Sequence, residues 1–212
     1  MSTEDNKTPA SKLGKFGLID HVVKRFKTKN KSTLSDIGDD AAVIDNKKAT
    51  LVSTDLLLEG IHFNLVYSPL KHLGYKAVIR SISDIYAMNG VPEQILLGIG
   101  IGSRMTVEMI DELFEGIELA CTKYSVDLVG GDTTSSLTGL TISVTAVGSC
   151  DKKNIVKRSG ALPNDLICVT GDLGAAYIGL SILERERRLF EQNSGIQPEL
   201  SGNDYVLGRQ LK

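Results

Sequence analysis

Two long segments with helical spacing separate the apolar runs of this chain, and their order limits the folds it can adopt. The spacing predicts a helix over residues 69–88, ended by the Asn-Gly pair at 89–90, and a second helix from a cap at Thr106 to about Tyr124. Because hairpins and helices do not alternate strictly as βαβ units, we expect an α+β fold with a mixed or antiparallel sheet and helices packed on one face. The apolar runs typical of its strands are 49–54, 94–102, 126–131 and 140–150.

Weaker patterns predict the remaining elements of the chain. The apolar runs 41–45 and 49–54 indicate a hairpin, and residues 60–66 indicate another extended segment. Residues 165–174 predict a strand that breaks at a glycine turn, with a helix after it. Residues 1–12 are polar, and we expect them to be a disordered lead-in.

A polar run, SCDKKN, marks the predicted boundary between two domains near residue 150. Residues 13–150 hold enough apolar periodicity for one complete domain. Residues 151–212 hold one clear strand and one or two helices, which is too little to bury a core of their own. We therefore expect residues 151–212 to be the truncated beginning of a second, α/β domain.

Composition excludes several broad classes of protein. The net charge of −2 argues against a general nucleic-acid surface. No apolar run reaches the roughly 18 residues of a membrane span, and the polar N-terminus has no secretory signal, so no membrane is expected. Cys121, Cys150 and Cys168 are far apart in apolar surroundings, so we expect buried reduced thiols in a cytoplasmic protein.

Four acidic motifs share a context that suggests a common site. Asp40 belongs to GDDAAVI, Asp55 to VSTD, Asp84 to SISD and Asp132 to VGGD. Taken singly, each aspartate is explained by local turn hydrogen bonds, and Asp84 also by a helical ion pair with Arg80. Taken together, small or polar residues precede most of them and leave room for a ligand at strand ends.

Converging carboxylates need neutralisation, because burying an unpaired charge is costly. Protonation is one solution and a divalent cation is the other. The hydroxyl or carbonyl oxygens of Ser53 and Thr54 add to the aspartates, and no His/Cys cluster accompanies them. Hard oxygen donors suit Mg²⁺, which often shares its shell with substrate phosphates. The usual phosphate loops are absent, since no GxxxxGK[ST] occurs and GIGIGSR lacks its third glycine.

Five motifs occur in an order that resembles the thiamine-monophosphate kinase family. They are GDDAAVI, STDLLLEGIHF, KAVIRSISDIYAMNGVP, LVGGDTTSS and RSGALPNDLICVTGDLGAA, and the resemblance covers residues 16–183. The family lies in a superfamily with aminoimidazole ribonucleotide synthetase, selenophosphate synthetase and a hydrogenase maturation factor. The resemblance implies ATP-dependent phosphorylation of thiamine monophosphate to thiamine diphosphate, by direct in-line transfer at a Mg²⁺ cluster. Residues 13–150 would then be the ATP- and Mg²⁺-binding domain, which pairs into a homodimer.

The resemblance also implies roles for individual residues. The implied metal ligands are Asp40, Ser53, Thr54, Asp55, Asp84 and Asp132; the implied ATP contacts are Gly131, Asp132 and Arg158; and His62 would contact thiamine monophosphate. Family members carry further DxSDG- and GGEDYE-type elements that do not occur in these 212 residues. Two alternatives stay open: another ATP-dependent member of the superfamily, such as the hydrogenase maturation factor, or a non-catalytic nucleotide-binding dimerisation module.

Overall fold

The computed structural model describes residues 8–35, 37, 42–193, 195 and 197–211. The described residues cluster into two compact units. The first unit holds residues 8–63 and 70–157, and the second holds residues 64–69 and 158–211.

A four-stranded mixed sheet organises the first unit. Its strands are β3 (Ala49–Leu58), β4 (Val91–Gly102), β5 (Asp127–Ser136) and β6 (Thr141–Cys150), while β1 (Thr33–Ser35) and β2 (Val43–Ile44) form a separate two-stranded sheet. The order is β3-β6-β4-β5, in which β4 and β5 run parallel and the other neighbours run antiparallel. This topology confirms the predicted mixed sheet and makes β3 and β5 its two edge strands.

The described residues of the same unit form three α-helices: α1 (Gly14–Val23), α2 (Leu70–Ala87) and α3 (Val107–Tyr124). As predicted, Thr106 caps α3, since its hydroxyl accepts the Met109 N–H at 3.3 Å. Helices α2 and α3 pack side by side with their backbones close together at Gly74 and Gly116. A Cβ at either glycine would overlap a main-chain carbonyl of the other helix, so only glycine permits this approach.

The two faces of the sheet differ in what covers them. Leu51 and Leu57 on β3 are buried on the face that packs against α2. The intervening side chains point to the other face, where Val52 is 65% and Leu56 49% exposed. The predicted arrangement of helices on one face is therefore confirmed, and apolar side chains remain exposed on the opposite face.

The expected hairpin between residues 41–45 and 49–54 is wrong. Strand β2 pairs with β1, and β3 pairs along its whole length with β6. The ten-residue ladder with β6 satisfies more backbone groups than a short hairpin could, so tertiary pairing outweighs the local turn signal. Residues 60–63 likewise form a turn rather than an extended segment, with Gly60 at a φ of 82°.

Residues 1–12 were expected to be a disordered lead-in; residues 1–7 lie outside the described residues, and residues 8–12 are ordered against the start of α3. The Thr8 N–H donates to both carboxylate oxygens of Glu108, at 2.8 and 3.0 Å, and the Thr8 carbonyl accepts the Val107 N–H at 2.7 Å. Ala10–Lys12 then form a short 3₁₀ helix. A helix N-terminus has unpaired N–H groups, and Thr8 satisfies one of them here.

The second unit contains α4 (Ala175–Gln192) and α5 (Asp204–Leu211), which pack closely where Gly179 meets the Val206 carbonyl. The expected strand over residues 165–174 is wrong, because this stretch is irregular and Ile167 is 95% exposed. Among the described residues of this unit no strand lies beside it to pair its backbone groups.

The cysteines follow the packing of their segments. Cys121 and Cys150 are buried as expected, and burial raises the pKa of the Cys121 thiol to about 12. Cys168 is exposed, contrary to expectation, because it lies on the irregular stretch of the second unit. In the part of the chain that the model describes, none of the helices has the length and apolarity to cross a membrane.

Candidate nucleotide and metal site

Asp55 lies at the contact between β3 and α2. Its Oδ1 accepts a hydrogen bond from Arg80 Nε at 2.8 Å, and its Oδ2 lies 3.2 Å from the Ser81 hydroxyl. The Asp55 side chain is only 16% exposed, so this carboxylate needs the guanidinium as a counter-charge. Helical spacing allows Arg80 to pair with Asp84, but Arg80 pairs with Asp55 instead.

Asp84 is the second carboxylate at this contact. The Ser53 hydroxyl donates to its Oδ2 at 2.5 Å. Ser53 and Asp55 are two residues apart on β3 and therefore share a face of the strand. Thr54 points to the opposite face, where its hydroxyl lies 3.0 Å from that of Thr145. The fold thus gathers Ser53, Asp55 and Asp84, and does not bring the Thr54 hydroxyl to them.

Asp132 lies on the other edge strand, β5, with its side chain 72% exposed. Lys15, in the first turn of α1, places its Nζ 2.7 Å from Asp132 Oδ1. This hydrogen bond is the main cause that lowers the pKa of the Asp132 carboxyl. The Asp132 carboxylate therefore already has a cationic side chain beside it.

Gly131 fixes the backbone next to Asp132. It has a φ of 156°, and a Cβ there would overlap the Leu97 carbonyl of β4. The register of β5 against β4 shifts just before this point, between Leu128 and Gly130. Such a bulge re-aims the side chains that follow it. The two glycines of VGGD therefore serve the close pairing of β5 with β4.

The candidate metal ligands form two acidic groups, Asp55 with Asp84 beside β3 and Asp132 on β5, which are far apart within one chain. In the strand register, Asp55 on β3 lies opposite Val144 on β6. Val144 in turn lies opposite Leu97 on β4, and Leu97 lies beside Gly131 on β5. Three strand spacings of about 4.8 Å separate the two edges by about 14 Å. Asp132 lies one residue further along β5, and its side chain reaches Lys15 of α1. One Mg²⁺ ion, with ligands at about 2.1 Å, cannot bridge this gap.

Among the residues that the model describes, no group of three or more His, Cys, Asp or Glu side chains is placed to hold a metal ion. Asp40, the remaining proposed metal ligand, lies outside the described residues. Its predicted role therefore stays a prediction.

An apolar cavity of about 190 Å³ adjoins Gly131 and Asp132. It lies where α1 and α3 meet the β4–β5 side of the sheet, and Lys15 is one of its lining residues. The Phe114 ring, held edge-on by Phe26 at 6.3 Å between ring centroids, forms part of the wall. Its other apolar lining residues include Ile19, Val22, Leu97, Ile99 and Leu128.

His62 has a defined tautomer in the turn that follows β3. The Leu58 N–H donates to His62 Nδ1 at 3.0 Å, so Nδ1 is an acceptor and the ring proton of the neutral form lies on Nε2. The side chain is exposed, so Nε2–H is available to a ligand oxygen. Arg158, in the second unit, lies exposed on an irregular segment and makes no ion pair with the described residues.

Sequence patterns missed two residues that shape this region. Lys15 was missed because its partner Asp132 is 117 positions away. Buried Asp127 accepts hydrogen bonds from Lys29 N at 2.7 Å, Asn30 N at 2.8 Å and the Thr33 hydroxyl at 2.9 Å. It thereby anchors the loop that leads towards GDDAAVI. A charged residue inside the apolar strand VDLV was the available signal for Asp127.

Comparison with known proteins gives a consistent set of matches. The protein-family model for the N-terminal domain of AIR synthase related protein matches residues 38–150 of the sequence. The thiamine-monophosphate kinase of Bacillus subtilis strain 168 is 36% identical over 202 residues, which cover 94% of this chain and 60% of that protein. The chain thus spans about 60% of the length of this relative.

Comparison with solved structures also matches this chain to thiamine-monophosphate kinases. The crystal structure of thiamine-monophosphate kinase from Stenotrophomonas maltophilia K279a has a TM-score of 0.72 and 29% identity, covering 92% of this chain and 59% of that one. The structure of AaThiL complexed with AMPPCP and TMP has a TM-score of 0.68 and 30% sequence identity, and the match covers 97% of this chain and 61% of that one.

Proposed function

Since this chain belongs to the family of AIR synthase related proteins, we propose that it is the nucleotide-binding portion of a thiamine-monophosphate kinase. The proposed reaction moves the terminal phosphoryl group of ATP onto thiamine monophosphate and forms thiamine diphosphate. The observation that carries the proposal is the match, over 97% of this chain, to a protein solved with AMPPCP and TMP. The three unpaired cysteines agree with the cytoplasmic location that we propose.

The donor set fits the metal that this reaction needs. Phosphoryl transfer depends on positioning and charge neutralisation more than on covalent chemistry, and a bound Mg²⁺ would neutralise the phosphate oxygens. Asp55, Asp84 and Asp132 offer only hard oxygens, and each already faces a stand-in donor. Those donors are Arg80, Ser53 and Lys15, respectively.

The cavity beside Phe114 suits the base of ATP. Its volume of about 190 Å³ lies below the roughly 300–1,000 Å³ of sites that enclose a whole ligand. The base would therefore enter the cavity, while the triphosphate lies outside it along Gly131 and Asp132. Independently of this cavity, we keep the proposal that Arg158 of the second unit contacts ATP, because a guanidinium suits bidentate binding of phosphate oxygens.

His62 suits the phosphate of the acceptor. With Nδ1 occupied by the Leu58 N–H, the ring presents Nε2–H outward as a single directed donor. Such an N–H can donate to a phosphate oxygen of the acceptor. We therefore propose that His62 binds the substrate.

A homodimer would unite the two acidic groups. Asp55 and Asp84 belong to the β3 edge and Asp132 to the β5 edge of the same sheet. If the β3 edge of one copy meets the β5 edge of a second copy, each junction joins the two groups. Unpaired edge strands are normally covered or paired. The exposed side chains of Val52 and Leu56 would be buried between the two sheets.

A second reading is a module that binds Mg²⁺ and ATP without phosphoryl transfer. It is favoured by the location of the cavity and of Asp55, Asp84 and Asp132, which all belong to the first unit. Under this reading the acidic groups and the cavity keep their binding roles.

Calorimetry tests the proposal directly. We expect ATP to bind the chain with Mg²⁺ present and to lose most of its affinity in EDTA. Incubation with Mg²⁺, ATP and thiamine monophosphate, followed by chromatography, distinguishes the kinase from the binding module by the appearance of thiamine diphosphate. ATP binding that is the same in EDTA and in Mg²⁺ would contradict both readings.

A further inference from the structure

We propose that Lys15 is a mobile counter-cation, which holds Asp132 while the site is empty and moves onto the polyphosphate when Mg²⁺ and ATP bind. This inference rests on the proposed function, because it assumes that Asp132 is a metal ligand. It assigns a phosphate-binding role to a residue that none of the acidic or glycine motifs includes.

The position of Lys15 supports the first half of the proposal. Its ammonium lies 2.7 Å from the carboxylate oxygen of Asp132, and the side chains are 50% and 72% exposed. Ion pairs this exposed are weak, because water screens them and long side chains lose entropy in forming them. A competing cation can therefore displace the ammonium at little cost.

Helix α1 does not depend on this ion pair for its position. Asp111 of α3 binds the other end of α1, with His21 Nε2 at 2.9 Å and Arg25 at 2.6 Å from its Oδ1. The buried side chains of Leu18 and Val22 add apolar packing. Removal of the Lys15 charge should therefore leave α1 in place.

The surroundings of Lys15 support the second half. Lys15 lines both the apolar cavity beside Phe114 and a neighbouring groove of about 590 Å³, whose wall includes the hydroxyl-bearing residues Ser11, Thr134 and Ser136. A base in the cavity would leave its phosphates within the sweep of this long, flexible side chain. Among the described residues, Asp132 is the only carboxylate that pairs with Lys15.

Electrostatic interactions favour the transfer of the Lys15 ammonium from Asp132 to the triphosphate. Asp132 would hold the Mg²⁺ ion, whose charge would repel the Lys15 ammonium, and the Lys15 ammonium would then be attracted to the triphosphate of the nucleotide. Ammonium–phosphate contacts are charge-assisted and stronger than neutral hydrogen bonds. Lys15 therefore competes with the metal in the empty protein and assists the nucleotide in the loaded one.

The test compares Lys15→Met and Lys15→Arg with Lys12→Met, a change of an exposed lysine on the adjacent 3₁₀ helix. Calorimetry at saturating Mg²⁺ measures ATP affinity, and electron paramagnetic resonance of free Mn²⁺ measures metal affinity without nucleotide. We expect Lys15→Met to bind ATP about tenfold more weakly and Mn²⁺ more tightly than wild type. Lys15→Arg should retain most of the ATP affinity, and Lys12→Met should match wild type in both measurements.

Weaker ATP binding together with tighter Mn²⁺ binding distinguishes an exchange from a structural defect, because a structural defect would weaken the binding of both ligands. An ATP affinity of Lys15→Met within twofold of wild type, or a weaker Mn²⁺ affinity, overturns the inference. If the wild-type chain itself shows no Mg²⁺-dependent ATP binding, the proposed function fails. If it binds and Lys15→Met behaves like Lys12→Met, only the role of Lys15 fails.

Discussion

Asp55 and Asp132 lie on the two opposite edge strands of one four-stranded sheet. Within a single chain this arrangement keeps apart two carboxylates that sequence motifs assign to one metal cluster. The proposed pairing of the β3 edge with the β5 edge of a second copy would remove the conflict. It would also bury the apolar side chains on the exposed face of the sheet.

Mixed dimers test this arrangement. We expect Asp55→Asn and Asp132→Asn chains each to lose Mg²⁺-dependent ATP binding when pure. After unfolding and refolding together they should recover it in about a quarter of the sites, because half of the dimers are mixed and each has one intact junction. Calorimetric stoichiometry measures the recovery. No recovery in a mixture shown by mass spectrometry to contain mixed dimers would place each site within one chain.

Asp132→Asn should weaken ATP binding only when Mg²⁺ is present. The side chain is 72% exposed, so the free energy of unfolding should change by less than about 0.5 kcal/mol. Urea unfolding and calorimetry measure the two effects. Asp151→Asn is a matched control, because Asp151 is also an exposed partner of a lysine, Lys48, at 3.4 Å. A loss of folding in Asp132→Asn would assign Asp132 a structural role.

Gly131→Ala should destabilise the first unit by about 2–4 kcal/mol, because the new Cβ would overlap the Leu97 carbonyl and the φ is unfavourable. Gly130→Ala is the control, since its Cβ would meet only Leu96 Cδ2 at an ordinary 3.7 Å. Urea unfolding monitored by circular dichroism compares the two variants. Equal stabilities would contradict the close pairing of β5 with β4.

His62→Gln should keep most of the affinity for thiamine monophosphate, whereas His62→Asn should lose about tenfold. The terminal amide of Gln can place an N–H near the position of Nε2, while Asn reaches only the position of Nδ1. Calorimetry with thiamine monophosphate in the presence of Mg²⁺ and AMPPCP measures the difference. Greater retention by Asn than by Gln would assign the ligand contact to Nδ1.

Glu108 should make stability depend on pH in the acid range. Hydrogen bonds from the Thr8 backbone lower the pKa of Glu108 from 4.5 to about 2. The unfolded chain therefore binds this proton first as the pH falls, so the stabilisation is complete above 4.5 and is lost between 4.5 and about 2. The difference in stability between wild type and Glu108→Gln should shrink across that window.

Urea unfolding at a series of pH values measures this effect. Glu112→Gln, a change of an exposed residue on the same helix, is the control for loss of one negative charge. A difference for Glu108→Gln that stays constant from pH 5 to 2 would show that Thr8 does not bind the carboxylate.

Local signals predicted the long elements well. Thr106 as the cap of α3 and the apolar stripe with Ile110 and Ile117 are set by interactions within about four residues. The hairpin near residue 46 failed because β3 pairs with β6, about ninety positions further along. The strand over 165–174 failed because a strand depends on a neighbour, and the described part of the second unit offers none.

The sequence by itself determined the long helices α2 and α3, the four apolar strands of the main sheet and the oxygen-rich side chains of the aspartate motifs, because these depend on residue type and short-range spacing. Only the tertiary structure decided that Arg80 neutralises Asp55, that Lys15 reaches Asp132, and that the acidic groups occupy opposite edges of the sheet. Strand order and long-range ion pairs depend on which segments bury each other's apolar surface, and no local pattern contains that information.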